Sequence, residues 1–249
     1  MKNALAVVIM AAGKGTRMNN PNLAKVMYTV AGRPMLDYVI ELAVELGSTR
    51  TIVVLGWQRE SVEKHVRGAH PDVLCVEQSP QLGTGHAVMQ SEQALADFSG
   101  DLLVLSGDVP LLSLETAADL LAYHRSHDGV ATILTAILPH PAGYGRIVRD
   151  QEWHVTGIVE HKDATEEQRA IREINSGIYV FRTQALFTAL REITPANAQH
   201  EYYLTDVFGW FARNNMQFDA VHTDDPREIL GVNTPAQLEE VRAAIGRKK

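Results

Sequence analysis

The sequence predicts an α/β fold in three layers, with a mostly parallel central sheet, helices on both faces and one inserted β-hairpin. Three observations predict it. Apolar runs of strand length recur at residues 4–10, 51–55, 73–76, 102–105, 130–138 and 178–181. Segments of helical period separate several of them. The stretch "GYGRIVRDQEWHVTGIVEHKDA" interrupts this alternation with two strand-like runs around a polar turn at 149–152. Alternating strands and helices favour parallel pairing, because each crossover helix covers a face of the sheet.

In chain order, the first strand leads into a loop, "AAGKGTRMNNPNLAK", rich in glycine and cations and free of acids. Its apolar start resembles a signal peptide only superficially, since it continues into that loop without a cleavage-like end. In "RPMLDYVIELAVELG", Pro34 suits the first helical position and Gly47 the C-terminal cap. Leu36, Val39, Ile40, Ala43 and Leu46 share one helical face. Residues 114–127 repeat this pattern, with Glu115 at the positive helix start. The run "EINSGIYVFR" resumes a buried strand, and helices fill most of the remainder. No linker divides the 249 residues, so one domain is expected. Its nucleotide-side half spans about 1–110 and its second-substrate half about 111–230, followed by a segment at 231–249.

Composition excludes several classes. A formal net charge of −7 opposes a nucleic-acid partner, which calls for a basic face. No stretch approaches the roughly 20 apolar residues of a membrane span. The single cysteine, Cys75, fits a reducing compartment and reads as a buried structural thiol on a strand. A cytoplasmic chain is expected. His124 and His127 lack a third ligand of suitable spacing, which argues against zinc there. Trp57, Trp153 and Trp210 are scattered and read mostly as core, and "HKDATEEQRAIRE" reads as a solvated helix.

The glycine loop is neither of two familiar phosphate loops. Lys14 is followed by Gly15 rather than Ser or Thr, which breaks the P-loop, and Met18 breaks G-x-G-x-x-G. The backbone N–H groups can still form an anion-binding nest. Lys14, Arg17 and Lys25 add positive charge. A second element, "LSGDVPLL", sets Asp108 beyond a strand's carboxyl end, where ligands of such sheets bind. A lone carboxylate there suits Mg²⁺, or simply caps a turn. Asn233, in "ILGVNTPAQL", is a second oxygen ligand or a helix N-cap.

"LAVVIMAAGKGTRM", "SPQLGTGHAV", "GDVPLL", "GYGRI", "VTGIVEHKDAT", "EINSGIY", "EYYLTD" and "GVN" occur in that order. Together they resemble the sugar-1-phosphate nucleotidyltransferases, and most closely the uridylyltransferase half of the bacterial bifunctional enzymes that make UDP-N-acetylglucosamine, a cell-wall and lipopolysaccharide precursor. The resemblance implies a Rossmann-like nucleotidyltransferase fold, UTP and N-acetylglucosamine-1-phosphate as substrates, and UDP-N-acetylglucosamine and pyrophosphate as products. It implies that Met10, Ala11, Ala12 and Gly13 hug the nucleotide, and that Arg17 and Lys25 face its phosphates. Gln78, Gly83 and Thr84 would surround the uracil, with Ser106 and Gly107 beside the sugar nucleotide. Gly145, Glu160 and Asn175 would receive the sugar, and Asp108 and Asn233 would hold Mg²⁺. Arg17, Lys25 and Asp108 are the catalytic candidates.

Departures from the family pattern stand beside the resemblance. Ser106 stands where the bifunctional enzymes often have tyrosine, which opens relaxed use of glucose-1-phosphate or dTTP. Ala24 stands where proline usually precedes the lysine. The hexapeptide repeats of the acetyltransferase half do not occur in these residues. A monomer or weak homo-oligomer is expected.

Overall fold

The computed structural model describes residues 4–18 and 20–246, so the outermost residues of the expected 1–249 unit, and Asn19 in its glycine loop, lie outside the described part. Strand β1 (Leu5–Ala11) is central and buried on both faces. Its alternate side chains enter different cores, as period two requires. Leu5, Val7, Ile9 and Ala11 join one cluster, and Ala6 and Val8 the other. Each fully buried Val, Ile or Leu contributes about 1.5–3 kcal/mol relative to exposure.

The chain next forms a small hairpin of β2 (Thr29–Val30) and β3 (Arg33–Pro34), then α1 (Met35–Glu45), β4 (Arg50–Leu55), α2 (Arg59–Ala69) and β5 (Leu74–Glu77). Helix α1 begins one residue later than the sequence predicts, because Pro34 is extended (φ −52°, ψ 143°) and pairs with Thr29. Gly47 supplies the left-handed turn beyond the helix at φ +77°. There follow α3 (Thr84–Met89), β6 (Asp101–Ser106), α4 (Leu114–Ser126) and β7 (Ala131–Ile137). The predicted hairpin is β8 (Arg146–Arg149) and β9 (Val155–Val159), after which come α5 (Glu166–Ala170) and β10 (Glu173–Arg182). The chain closes with α6 (Thr183–Leu190), α7 (Asp206–Arg213), β11 (Phe218–His222) and α8 (Pro235–Gly246).

Seven strands run β11-β7-β10-β6-β1-β4-β5 across the sheet, with β8 and β9 extending from β10. All seven are parallel to one another except β10, which is antiparallel to both neighbours. Helices α1, α2 and α4 cover one face, and α3, α6 and α7 the other, giving the expected three layers. Strand β10 covers the whole of "EINSGIYVFR", the stretch read as a buried strand, of which 178–181 is the continuous apolar part. A bulge lies between Asn175 and Tyr179, with Gly177 at φ +81°. Strand β11 was not foreseen, because "FDAVH" is too short and polar to give a clear alternation. The charge-rich stretch around 161–173 yields only the five residues of α5, all solvated, capped by Thr165 and Gln168.

Two of the three tryptophans correct the core reading. Trp153 is 74% exposed at the β8–β9 turn, and Trp57 stands at the end of β4 in the cleft described below. Trp210 does pack against the core. Most of the three were expected in the core, but a tryptophan beyond a strand's carboxyl end or at a hairpin tip lies outside the sheet's cover. Cys75, expected buried, is half-buried on β5 and packs against the core from the sheet's edge.

Candidate active site

The strand order fixes where a ligand can lie. From β1 the chain builds outward through β4 and β5, then returns to place β6 on the other side of β1. This reversal opens a crevice beyond the carboxyl ends of β1 and β6. Register makes the two sequence motifs neighbours, since Met10 pairs with Ser106. The glycine loop and "GD" therefore leave adjacent strands at the same edge. Ala11 lies beside Leu55, and Leu55 beside Glu77, so the chain beyond β4 and β5 joins the rim.

A cleft of about 890 Å³ fills this space, lined by Met10, Ala11, Ala12, Gly13, Lys25, Gln78, Gly83, Thr84, Ser106 and Asp108 among others. Among the described residues other than its chain neighbours, no atom lies within 4 Å of where a Cβ would stand on Gly13, so its main chain is open to a ligand. Gly83 has φ +109°, and a Cβ there would sit 2.6 Å from the Tyr202 carbonyl oxygen. That position needs glycine on both counts. Gln78 donates through Nε2 to the Gly83 carbonyl at 2.8 Å, which fixes its amide. Thr84 lines the cleft while its hydroxyl accepts from the Leu204 N–H at 3.0 Å.

Asp108 and Asn233 meet around one cation. The Lys25 ammonium donates to Asp108 Oδ2 at 2.5 Å and to Asn233 Oδ1 at 3.0 Å. Lys25 stands 83 residues before the first and 208 before the second, so only the fold joins them. Asn233 is not the helix cap. Thr234 accepts the Gln237 N–H at 3.3 Å, leaving the Asn233 carbonyl for Lys25. A small apolar cluster of Met18, Val30, Val232, Leu238 and Val241 ties the Asn233 segment to the glycine loop. The Val232 N–H also donates to the Asp108 carbonyl at 2.9 Å. A Cβ on Gly15 would stand 2.7 Å from Lys25 Cβ, so this glycine lets the loop press on the lysine stem. Gly107 is buried beside it, donating to the Met10 carbonyl at 3.0 Å. Arg17 stays on an exposed turn of the loop and does not line the cleft.

The three sugar candidates form a row across three strands. Arg146 pairs with Ile174 on β10 and with Val159 on β9, so antiparallel register sets Gly145 between Asn175 and Glu160. The Asn175 N–H donates to the Gly145 carbonyl at 2.9 Å. A Cβ on Gly145 would lie 3.4 Å from both Asn175 Cβ and Glu160 Oε2, so a side chain there would fill the space between them. Asn175 Nδ2 donates to the buried Tyr179 hydroxyl at 2.8 Å, and Asn175 Oδ1 accepts the Gly177 N–H at 3.2 Å. Glu160 accepts from the Thr205 hydroxyl at 3.0 Å. Lys162 does not pair with it and bonds Gln199 instead. Burial raises the Glu160 carboxyl above the usual range; the Thr205 hydrogen bond opposes this, and Asp206 and Asp163 reinforce it. Burial raises the phenol of Tyr144, next to Gly145 in the chain, and the charges of Asp108 and Glu240 add to this.

Comparison with known proteins then decides the family. The nucleotidyl transferase family model matches residues 6–248. The chain belongs to the nucleotidyl transferase family. It is 45% identical over 244 residues to the bifunctional protein GlmU of Pelobacter propionicus, covering 98% of this chain and 53% of that protein. The GlmU of Streptococcus mutans is 45% identical over 241 residues, covering 97% and 52%. The chain thus spans about half the length of the curated relatives it matches. A solved UDP-glucose pyrophosphorylase complexed with UDP-glucose superposes with TM-score 0.79 at 19% identity, over 99% of this chain and all of that one. A second, from Acinetobacter baumanii, gives 0.74 at 21% identity, over 100% and 94%. At these identities the likeness is one of fold, and it agrees with the Rossmann-like α/β architecture.

Several cleft residues of this family member escaped the sequence reading. Gln81 donates to the Ala12 carbonyl at 2.5 Å and braces the glycine loop. Lys14 Nζ lies 5.7 Å from the Trp57 ring centroid, and the buried indole N–H has no acceptor among the described residues. A Cβ on Gly56 would collide with both Gln81 and Ala12. Trp57 was within reach of the strand-end rule, since it follows the apolar run 51–55 as Asp108 follows 102–105.

Proposed function

We propose that the chain transfers a uridylyl group from UTP to N-acetylglucosamine-1-phosphate, giving UDP-N-acetylglucosamine and pyrophosphate. The observation that carries this reading is the meeting of Lys25, Asp108 and Asn233 at the rim of the switch-point cleft. The row of Gly145, Glu160 and Asn175 supports a sugar as second substrate. A carboxylate and an amide there offer acceptors and donors to hydroxyls, and the glycine leaves room for an acetamido group.

The residues fit Mg²⁺. The lysine ammonium stands in for a cation between a carboxylate and an amide oxygen, the hard donors magnesium takes alongside water and phosphates. The nitrogen-rich group of Asp37, His65 and His70 does not suit it. Asp108 and Asn233 would hold magnesium, which would supply Lewis-acid neutralisation of phosphate charge. Lys25 would turn onto the α-phosphate, and Arg17 would close on the leaving pyrophosphate. Main-chain groups of Met10, Ala11, Ala12 and Gly13 cradle the nucleotide, with Gln78, Gly83 and Thr84 on the base and Ser106 and Gly107 beside the joined phosphates. An oxygen of the sugar phosphate attacks the α-phosphorus in line. The bond from that phosphorus to the bridging oxygen breaks, and pyrophosphate leaves with the electron pair. Such transfers rest on positioning and charge stabilisation.

We assign residues 1–110 to the nucleotide, 111–230 to the sugar and 231–249 to the metal-ligand segment and C-terminal helix. The family resemblance supports a cytoplasmic role in supplying cell-wall and lipopolysaccharide synthesis, and we take the chain as a monomer or weak homo-oligomer. No helix among the described residues is long and apolar enough to cross a membrane. The test is pyrophosphate release across a matrix of nucleoside triphosphates and sugar-1-phosphates, with and without chelator. Release is expected with UTP, N-acetylglucosamine-1-phosphate and a divalent ion together. Equal rates with glucose-1-phosphate or dTTP would overturn the specificity, and no release with any pair would overturn the activity.

A further inference from the structure

A second cluster of ligating side chains lies away from the cleft, between α1 and α2. Asp37, in the first turn of α1, is 7% exposed. Its Oδ1 lies 2.7 Å from His65 Nε2 and 3.1 Å from His70 Nε2, and the three atoms all fall within 4.8 Å of one another. None of the three residues lines the cleft. We propose that Asp37, His65 and His70 form a binding site for a first-row transition ion of the zinc type, clamping α1 to α2.

The donor chemistry selects the ion. Two imidazole nitrogens and one carboxylate oxygen suit Zn²⁺ or Co²⁺, and are a poor set for Mg²⁺. Three protein ligands with a fourth position left to water is a common zinc arrangement. The three atoms are near enough for small side-chain adjustments to seat an ion. Metal–ligand bonds of about 2.0–2.1 Å place tetrahedral ligands about 3.3 Å apart. The two carboxylate–imidazole distances, 2.7 and 3.1 Å, need to lengthen by tenths of an ångström, and the two imidazole nitrogens, within 4.8 Å of each other, need only rotate toward that spacing. Nε2 of each ring faces the same carboxylate oxygen. On metal binding any proton on Nε2 leaves for Nδ1 or water, and Nε2 presents its lone pair. The side chains of His65 and His70 are 26% and 15% exposed, so an ion and its water can enter.

Local structure explains why two histidines five apart converge. On a continuous helix they would point about 140° apart at 3.6 residues per turn. Helix α2 ends at Ala69, and His70 takes φ −137° and ψ 69°. Leaving the helix there turns its ring back toward Asp37.

The experiment uses the 249-residue chain in excess Mg²⁺, which holds the Asp108–Asn233 site, and titrates in Zn²⁺ and then Co²⁺. One equivalent of Zn²⁺ per chain is expected, with a visible Co²⁺ band of low-coordinate type and a melting temperature that rises with Zn²⁺. His65→Gln and His70→Gln are each expected to weaken binding by at least the ~10–100-fold typical of losing a ligand's supporting partner. Both should abolish the Co²⁺ band, while melting in chelator stays close to wild type. His70→Gln, at the helix end, keeps the test sound should His65→Gln fold poorly. Absence of stoichiometric Zn²⁺ binding, or unchanged affinity in both variants, would overturn the site and leave Asp37 as a hydrogen-bonded strut.

Discussion

The phosphate end and the sugar end of the site each hold a carboxylate away from bulk water, yet they treat its charge differently. Asp108 is neutralised in place, for the Lys25 ammonium sits 2.5 Å from it. Glu160 has a hydroxyl for a partner, from Thr205, and two further acids nearby. Removing a carboxylate from water is unfavourable unless a countercharge or several donors replace the solvent. On the proposed reading, the phosphate end would keep its balance by exchanging one cation for another when substrate arrives. The sugar end has few donors for its carboxylate, a demand that sugar hydroxyls would satisfy. Glu160 would then exchange folding stability for ligand recognition.

Breaking the phosphate end should give the largest effect. Asp108→Asn keeps the shape and removes the charge that faces Lys25 and, on the proposed reading, the metal. Loss of one preorganised electrostatic group typically lowers turnover by about 10²–10³-fold. That loss, with an unchanged circular-dichroism melt, is the expected result; turnover within a few-fold of wild type would exclude Asp108 from the chemistry. Lys25→Met should lower turnover by a similar factor and yet move a second readout the opposite way. Without the ammonium competing for Asp108, Mn²⁺ binding to the free protein, read by electron paramagnetic resonance, should tighten. A hydrogen bond to a charged group is worth about 1.5–3 kcal/mol, so about tenfold or more is expected. Unchanged or weaker Mn²⁺ binding would show that lysine and ion do not share the site.

Breaking the sugar end should show in binding and stability rather than in turnover. Glu160→Gln keeps an acceptor for Thr205 and loses the charge. The KM for N-acetylglucosamine-1-phosphate should rise by about tenfold or more, on the same scale for hydrogen bonds to charged groups. Stability should move the other way. Because the carboxyl is raised in the folded protein, the folded state binds its proton more tightly than the unfolded chain does. Wild-type stability from this group is thus fully present below the ordinary glutamate range and is lost as pH rises through the raised value. Glu160→Gln should melt higher than wild type at pH 7, by a few degrees, and the gap should close toward pH 4. A variant that melts lower at pH 7 would mean that Glu160 is stabilised by its surroundings, and the contrast between the two ends would fail.

These two ends were also unequally legible in the sequence. The phosphate end follows from strand-end loops, and a glycine-rich loop or an acid beyond an apolar run marks such a loop directly. Asn233 was readable only as cap or ligand, because the choice rests on Thr234 taking the cap and on an apolar cluster that no local pattern reveals. The sugar row depends on register between β10, β8 and β9. Its residues entered through family resemblance, since reading "EINSGIYVFR" as a strand does not say which residues lie opposite Asn175. Trp57 was misread for a simpler reason, as its size argued for burial while its position at the end of β4 argued for the cleft. His65 and His70 were invisible, because spacing five is not a helical ligand spacing until the chain leaves α2.

The smallest expected effect concerns the loop that carries Lys25. Ala24 occupies the position where the family resemblance leads one to expect proline, and it has φ −60° and ψ 139°. That is the angle a proline ring imposes. No hydrogen bond from the Ala24 N–H is found among the described residues, so nothing is lost by removing the donor. Ala24→Pro should therefore act through the unfolded chain and stabilise by about 0.4–1 kcal/mol, a rise of about 1–4 °C for a chain of this size. The opposing term is steric. Ala24 is 2% exposed, and extra ring atoms in a filled space can destabilise by about 1–3 kcal/mol. A higher melting temperature with unchanged turnover means the loop already holds its proline-like shape with alanine, so the phosphate end is preorganised by its backbone. A lower melting temperature means that packing around the smaller side chain has closed in, and that the loop's geometry is set by its neighbours rather than by its own dihedral angles.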